Sequence, residues 1–225
     1  MANKRLIRLP DRGEVVLGRF DYGVGQPPDI DLTFDDGLIP SVSRRHALVI
    51  SRRGEHWIED MGSTNGTYLD GNRLALGKSA QLASGSRIIL GRCRLVYLPL
   101  PDWVHNPDPR RPHACFLRVT HTGDQVELPE QETIMIGRSD PTLDFKPDID
   151  LGDVGDIGHY VSRRHVRIIT RQGRHFVEEA GSASGTRLNG RPIQVGTQPV
   201  LLQPGDQLSL GGCVIAYDWR LLEGA

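Results

Sequence analysis

Val42-Ser43-Arg44-Arg45-His46 decides the architecture, because it recurs as Val161-Ser162-Arg163-Arg164-His165 about 120 residues later. Other landmarks recur in the same order at nearly the same interval. They are Gly18-Arg19 with Gly137-Arg138, Asp29-Ile30-Asp31-Leu32 with Asp148-Ile149-Asp150-Leu151, and Gly62-Ser63 with Gly181-Ser182. Solenoid repeats have periods of about 20–50 residues, so this longer interval predicts two tandem copies of one domain.

Composition and turn signals predict an all-β chain. Its 225 residues include 26 glycines and 15 prolines, which leaves little room for long helices. Short runs rich in β-branched residues alternate with hairpin signals such as Asp70-Gly71 and Asn189-Gly190. We therefore predict two tandem β-sandwiches, at residues 1–98 and 114–221, joined by a proline-rich linker at residues 99–113.

The charge balance and the cysteines narrow the class of protein. Lys and Arg number 27 against 28 for Asp and Glu, so the overall basic surface of a general nucleic-acid binder is missing and no nucleic-acid partner is predicted. The three cysteines are well separated and form no CxxC pair, which indicates reduced thiols. No run is apolar enough for a signal peptide or a membrane span. A cytoplasmic protein is expected.

Each copy places the same polar groups on its predicted loops. An arginine follows a glycine at a strand end, a serine stands beside two arginines, and a small polar turn comes after them. A guanidinium, a hydroxyl and backbone N–H groups together hold a phosphate dianion by charge-assisted hydrogen bonds. The pattern therefore predicts a phosphate-binding site in each copy.

Two other kinds of site are less compatible with the sequence. The Ser-x-x-His spacing lacks the third, orienting group of a catalytic triad, so the chain is not predicted to be an enzyme. Asp31, Asp35 and Asp36, like the aspartates of the second copy, suggest a metal cluster at first. Ca²⁺ needs about six or more oxygen ligands, and we interpret these residues as solvating the loops and repelling unwanted anions. No metal or cofactor is predicted.

The order Gly-Arg, Ser-x-x-His, Gly-Ser-x-x-Gly-Thr, followed by a hairpin and a closing strand, resembles the forkhead-associated (FHA) domain. The resemblance covers nearly the whole chain outside the linker. It implies a β-sandwich of about eleven strands in each copy, with phosphothreonine peptides bound on the loops. It also implies an adaptor in Ser/Thr kinase signalling, whose partner is a threonine-phosphorylated protein such as a kinase or its substrate.

The resemblance also assigns individual residues. In the first domain the phosphopeptide-binding residues are Arg19, Ser43, Arg44, Thr64 and Asn65, and the loop-shaping residues are Gly18 and His46. In the second domain they are Arg138, Ser162, Arg163 and Ser184, with Gly137 and His165 shaping the loops. The resemblance implies that Arg19 and Ser43 contact the phosphate, with Arg44 beside it. It also implies that Asn65 holds the peptide backbone and that Thr64 lies next to the phosphothreonine.

One departure from the family pattern separates the two copies. The first reads Ser63-Thr64-Asn65-Gly66-Thr67, whereas the second reads Ser182-Ala183-Ser184-Gly185-Thr186, so a serine replaces the backbone-binding asparagine. A hydroxyl reaches less far than an amide and makes fewer hydrogen bonds. We predict that the first domain is the main reader and the second a weaker site. The alternative is a phospho-independent interaction scaffold in which one or both pockets are degenerate.

A second departure concerns the start of the first domain. Too few residues precede Leu6 to match the predicted strand Phe116–Thr120 of the second copy. The first domain therefore either lacks its opening strand or borrows one. The candidate sources are Trp219–Leu222, a second molecule and an upstream region. An open sheet edge favours aggregation, so we expect one of them to occupy the slot.

Overall fold

The strands of this chain are seen in a computed structural model, which describes residues 6–21, 27–33, 35–36, 39–98, 113–120 and 122–221. By their contacts the described residues divide into two units, one from residue 9 to residue 98 and one from residue 113 to residue 221, and residues 6–8 group with the second. The predicted linker lies outside the described residues except for His113. In the described part of the chain, no helix has the length and apolar character needed to cross a membrane.

The first unit is a sandwich of two sheets. Its strands are β1 (Gly13–Gly18), β2 (Ile30–Asp31), β3 (Ala47–Arg52), β4 (Glu55–Asp60), β5 (Thr67–Leu69), β6 (Asn72–Arg73), β7 (Ser79–Gln81), β8 (Arg87–Leu90) and β9 (Cys93–Val96). One sheet has the order β2-β1-β3-β4-β7 and the other β6-β5-β8-β9. Every pairing is antiparallel except β1 with β2.

The second unit repeats this plan with a larger second sheet. Its strands are β10 (His113–Val119), β11 (Gln125–Glu127), β12 (Thr133–Gly137), β13 (Ile149–Asp150), β14 (Val166–Arg171), β15 (Arg174–Glu179), β16 (Thr186–Leu188), β17 (Arg191–Ile193), β18 (Val200–Leu201), β19 (Gln207–Leu210) and β20 (Cys213–Leu221). The sheets are β13-β12-β14-β15-β18 and β11-β10-β20-β19-β16-β17. Two short 3-10 helices, Pro141–Leu143 and Gly155–Tyr160, lie in its loops. The prediction of an all-β chain with two sandwiches is confirmed.

The alternation of apolar residues explains why these segments pair face to face. Along β3, Ala47, Val49 and Ser51 are buried while the residues between them are partly exposed, as expected for a strand with one face on the core. The hairpin signals also behave as predicted. Asp70 and Gly71 both have positive φ, 50° and 87°, which the type I′ turn between β5 and β6 requires.

The two units differ at one sheet edge. β10 pairs with the outer edge of β20 from His113 opposite Leu221 to Val119 opposite Ile215. Within the described residues, no strand pairs with the corresponding edge of β9. Within the described residues, the segment from Trp219 to Leu221 pairs with β10 of its own unit and not with β9, so the structure does not place it in the opening-strand slot of the first domain.

The N-terminal residues also depart from the predicted domain boundary. The backbone N–H of Arg8 donates to the carbonyl oxygen of Gly205 at 3.1 Å, and the Arg8 guanidinium lies 3.8 Å from the Asp206 carboxylate. Both partners belong to the second unit. The first unit therefore begins at Leu9.

Candidate functional site

The site of the first domain begins where β1 leaves the sheet at Gly18. A Cβ atom on this residue would lie 1.9 Å from the carbonyl oxygen of Arg44, so only glycine lets the strand approach that loop so closely. The next residue, Arg19, donates its backbone N–H to the carbonyl oxygen of Ser43 at 3.1 Å. This contact places the arginine and the serine side by side.

The second domain is built in the same way. A Cβ atom on Gly137 would lie 1.8 Å from the carbonyl oxygen of Arg163. The backbone N–H of Arg138 donates to the carbonyl oxygen of Ser162 at 3.1 Å. The structure therefore brings both sequence-predicted arginine–serine pairs together.

A buried histidine fixes the serine loop of each domain. Nδ1 of His46 accepts a hydrogen bond from the Ser43 N–H at 2.9 Å, so Nε2 carries the proton and donates to the carbonyl oxygen of Gly66 at 3.1 Å. Burial lowers the pKa of His46, which keeps the ring neutral and its Nδ1 free to accept. The same contacts recur around His165, at 2.9 and 3.3 Å, and burial lowers its pKa as well.

The hydroxyl of Ser43 faces residues 63–67, which we call the recognition turn. Its Oγ accepts a hydrogen bond from the backbone N–H of Thr64 at 3.1 Å and lies 3.5 Å from the Thr64 hydroxyl. In the second domain Oγ of Ser162 accepts from the backbone N–H of Ala183 at 2.9 Å. The backbone contact is common to both domains, whereas the threonine hydroxyl belongs to the first alone.

Asn65 connects the recognition turn to the opposite loop. Its Nδ2 donates to the carbonyl oxygen of Ser41 at 2.8 Å. Ser41 is held in turn by the buried carboxylate of Asp36, which accepts hydrogen bonds from the backbone N–H groups of Ser41 and Val42 at 2.5 and 2.6 Å and from the Ser41 hydroxyl. The amide of Asn65 therefore joins the recognition turn to the loop around Ser41, which Asp36 already holds in place. We call these two facing segments the rim of the site.

Ser184 stands in the position of this asparagine and has different neighbours. Tyr160, at the end of a 3-10 helix, occupies the place of Ser41. A Cβ atom on Gly211 would lie 3.0 Å from Oγ of Ser184, which locates the serine against that turn. Across the described residues, Ser184 makes no counterpart of the bond from Asn65 to Ser41. Among the described contacts, Ser184 thus does not bridge to the opposite loop as Asn65 does.

The carboxylate beneath the recognition turn also differs. Asp60 accepts hydrogen bonds from the hydroxyls of Ser63 and Thr67 at 2.6 and 2.7 Å and from the backbone N–H groups of Gly62 and Ser63 at 3.0 and 3.1 Å. Although burial raises its pKa, these four bonds together lower it below the usual value. The carboxylate is therefore an ionised anchor for the turn.

Glu179 replaces this aspartate in the second domain. It accepts the backbone N–H of Ser182 at 2.5 Å. The hydroxyls of Ser182 and Thr186 lie near the carboxylate without forming an aligned hydrogen bond. One aligned hydrogen bond thus joins the second turn to its carboxylate in the described residues, where four join the first turn to Asp60.

Charge in the first site is shared between two arginines and one aspartate. The guanidinium groups of Arg19 and Arg44 lie 3.9 and 3.6 Å from the Asp21 carboxylate, and their side chains are 30% and 58% exposed. Two partly exposed cations around one carboxylate leave an excess of positive charge. A phosphate dianion is complementary to that excess.

The second site distributes its charge differently. Arg163 donates to Asp140 at 3.2 Å, while Nε of Arg138 donates to the carbonyl oxygen of Val161 at 3.2 Å. The hydrogen bond from the Thr142 hydroxyl is the main cause that lowers the pKa of Asp140. Sequence reasoning missed both Asp21 and Asp140, although their recurrence in the same frame was a usable signal.

The loop aspartates correct one interpretation made from the sequence. Asp31 is 1% exposed and accepts hydrogen bonds from the backbone N–H groups of Phe20 and Thr33 and from the Thr33 hydroxyl. Asp36 is buried under Ser41 in the same way. Asp31 and Asp36 are thus buried and fix loop backbone, so the interpretation that they solvate the loop and repel anions is wrong for these two residues. The described residues contain no His, Cys, Asp and Glu group able to hold a metal ion.

The known proteins that resemble this chain include three with sequence identities of 40% to 44%. Glycogen accumulation regulator GarA of Mycolicibacterium smegmatis is 42% identical over 95 residues, which are 42% of this chain and 56% of that protein. Protein FraH of a Nostoc species is 44% identical and matches 46% of this chain and 36% of that protein. The oxoglutarate dehydrogenase inhibitor of Corynebacterium jeikeium is 40% identical and matches 40% and 60%. The chain thus spans less than two thirds of each relative's length.

Solved structures and family models complete the comparison. One structure, from a study of phosphothreonine-dependent FHA domain interactions, is 25% identical with a TM-score of 0.38, covering 48% of this chain and 99% of that one. The FHA domain family model matches residues 15–91 and again residues 134–211. Both matches include the Gly-Arg strand end, the Ser-x-x-His loop and the Gly-Ser-x-x-Gly-Thr turn of their domain. This chain therefore belongs to the FHA domain family and carries two tandem copies of the domain.

Proposed function

We propose that this chain is a phosphothreonine-peptide-binding adaptor in Ser/Thr kinase signalling, with the first domain as the main reader. The observation that carries the proposal is the convergence of Arg19, Ser43 and Asn65 on one rim of the first sandwich. The arginine is fixed by its backbone bond to Ser43, and the asparagine by its bond to Ser41. Three groups suited to a phosphopeptide are thus held before any ligand arrives.

The phosphate of the peptide takes its place among the arginines. Phosphothreonine carries about −1.5 to −2 charges at pH 7 and offers three acceptor oxygens. Arg19 and Arg44 bind these oxygens in exchange for the weaker contacts with Asp21, which are 3.6 Å or longer. The Ser43 hydroxyl donates to the same phosphate. Each such charge-assisted bond contributes about 1.5–3 kcal/mol, which separates phosphorylated from unphosphorylated threonine.

The peptide backbone is held by Asn65. An amide donates and accepts at once, so it can bind both a carbonyl oxygen and an N–H group of an extended peptide. The rim under this residue is supported by Asp36 and Asp60. Because those carboxylates fix the loops in advance, little conformational entropy is lost when the peptide binds.

The second domain keeps the phosphate groups and lacks the backbone-binding amide. Ser184 is shorter than Asn65, and Glu179 anchors its turn with fewer bonds than Asp60 does. We therefore assign it a weaker phosphopeptide site. Losing one or two peptide hydrogen bonds at about 0.5–1.5 kcal/mol each corresponds to a loss of several-fold to roughly a hundredfold in affinity.

The proposed partner is a threonine-phosphorylated protein, such as a Ser/Thr kinase or its substrate. Two of the relatives are named as a regulator of glycogen accumulation and as an inhibitor of oxoglutarate dehydrogenase. Both names describe a protein that controls a process or another protein, which supports an adaptor over a catalyst. A cytoplasmic location agrees with three buried, free cysteines among the described residues.

Titration of the full chain with phosphothreonine peptides tests the proposal. A degenerate peptide library is compared with the same library left unphosphorylated, by calorimetry or fluorescence anisotropy. We expect only the phosphorylated library to bind. We also expect the site of the first domain to fill at lower peptide concentrations than the site of the second. Equal binding of both libraries would favour the alternative, a phospho-independent scaffold.

A further inference from the structure

The outer edge of β9 is unpaired within the described residues. The backbone groups of Tyr97 point to the side of β8. Its N–H donates to the carbonyl oxygen of Ser86, just before β8, at 2.9 Å, and its carbonyl oxygen accepts from the N–H of Gly85 at 2.8 Å. Backbone groups alternate in direction along a strand, so every second residue points away from β8. We define the β9 edge as the outward backbone N–H and C=O groups of Arg94, Val96 and Leu98.

The second domain shows what completes such an edge. There the carbonyl oxygen of Val214, the counterpart of Arg94, accepts the backbone N–H of Thr120 at 3.0 Å, next to the ladder between β10 and β20. The core-facing side chains beside this ladder, Ile215 and Tyr217, are 0% and 5% exposed. Their counterparts at the first domain's edge, Leu95 and Tyr97, are only half-buried. An antiparallel strand is therefore the element that this edge fits.

The β9 edge has few of the features that protect natural sheet edges. Such edges are usually short or carry charge, proline or a bulge. Elsewhere in the described chain, every strand at the end of a sheet has two or three residues, whereas β9 has four. Its outward face carries one charge, on Arg94, together with Val96 and Leu98, which are each 59% exposed.

We propose that the β9 edge pairs antiparallel with the β9 edge of a second copy of this chain, about a two-fold axis at Val96. In this register Val96 lies opposite Val96 of the second copy, and Arg94 lies opposite Leu98. All outward backbone groups of the edge then pair, which gives about six hydrogen bonds. The two four-stranded sheets become one continuous sheet.

Side-chain chemistry makes this edge complementary to itself. On the core side, Leu95 of each copy meets Tyr97 of the other, and aromatic–aliphatic cross-strand pairs stabilise sheets. On the outer side Arg94 meets an apolar residue, so no charge opposes a like charge. A two-fold axis requires one surface to match itself, and an antiparallel strand centred on an outward-pointing residue satisfies that condition.

Backbone pairing can be removed with one substitution in the full chain. Val96→Pro deletes an N–H group that points away from β8, so it leaves the hydrogen bonds of the first sandwich intact. Val96→Thr is the matched control, because it keeps the N–H and the β-branched shape. Sedimentation velocity over a range of concentrations measures the dimer dissociation constant, and circular dichroism checks that each variant folds.

We expect the unmodified chain and Val96→Thr to dimerise, and Val96→Pro to raise the dissociation constant at least ~10-fold through the lost bonds. A monomer at all concentrations would overturn the proposal, and would leave the slot to an upstream segment or another protein. Equal dimerisation of Val96→Pro and Val96→Thr would overturn it as well.

A cysteine placed on the axis tests the register and serves if Val96→Pro fails to fold. Opposed residues in a hydrogen-bonded pair have Cα atoms about 5.5 Å apart, within the range of a disulfide. Val96→Cys should therefore form a cross-linked dimer on mild oxidation. The control is Val195→Cys, an exposed position of the second domain. The native cysteines that the structure describes are buried. Equal cross-linking of the two variants would contradict the proposed pairing.

Discussion

The two domains share a framework and differ in the groups placed on it. In both, a glycine at the end of one strand, β1 or β12, lets that strand approach the serine loop, and a neutral histidine joins that loop to the following turn. The rim is different. Asn65 and Asp60 in the first domain are replaced by Ser184 and Glu179 in the second. A common fold therefore keeps the arginine–serine geometry of the two loops while the residues beside it change independently.

The largest expected effect separates the two sites. Arg19→Ala combined with Ser43→Ala should weaken phosphothreonine-peptide binding by the full chain at least about a hundredfold, because two charge-assisted bonds of about 1.5–3 kcal/mol are lost. The matched pair Arg138→Ala and Ser162→Ala should change the tight-site affinity by less than about twofold, since an unaltered site distant from a mutation keeps its energy. Calorimetry measures both. Equal losses in the two double variants would remove the proposed asymmetry.

The next effect tests the shared framework. Gly18→Ala and Gly137→Ala each place a methyl group within 2 Å of a backbone oxygen. Overpacking of this kind costs about 1–3 kcal/mol, and we expect a similar loss of unfolding free energy in each domain. Urea denaturation followed by circular dichroism measures it. Gly54→Ala adds a methyl group that meets no neighbour within 4 Å, but its φ of +81° strains any L side chain. It therefore measures backbone strain without a steric clash.

A smaller effect follows from exchanging the rim residues. Asn65→Ser should weaken the first site several-fold, and Ser184→Asn should strengthen the second by a similar factor, since one or two hydrogen bonds of about 0.5–1.5 kcal/mol are involved. Peptide titrations of Ser184→Asn in the Arg19→Ala background isolate the second site. Should this variant show no gain, Glu179→Asp is added to restore the anchor of the turn. Failure of both would place the defect elsewhere in the second domain.

The smallest effect concerns pH. Burial lowers the pKa of His46 and of His165 in the folded state, so the unfolded chain binds protons at a higher pH than the folded chain does. Stability is complete above the ordinary histidine pKa of about 6.5 and falls as the pH is lowered through that value. Thermal unfolding between pH 7 and pH 5 should show this loss. It should be smaller in His46→Gln, and a pH dependence unchanged by that substitution would contradict the assignment.

Much of the site could be predicted from the sequence because its residues recur in one frame. The repeated Gly-Arg and Ser-x-x-His motifs place the same groups at the same strand ends, and the structure brings them together as expected. The supporting carboxylates were harder to find. Asp36 acts on Ser41, and Asp60 on Ser63 and Thr67, only after the loops have closed around them. Their roles depend on burial, which the order of residues does not specify.

The sequence by itself determined the tandem repeat, the all-β class, the FHA family and the substitution of Ser184 for Asn65. These features are local patterns or spacings along the chain. Only the tertiary structure showed that the outer edge of β9 is unpaired within the described residues, and that Arg8 pairs with Gly205 of the second unit. Strand pairing joins residues far apart in sequence, and the free energy of each pairing depends on which other strand is present to bind the open edge.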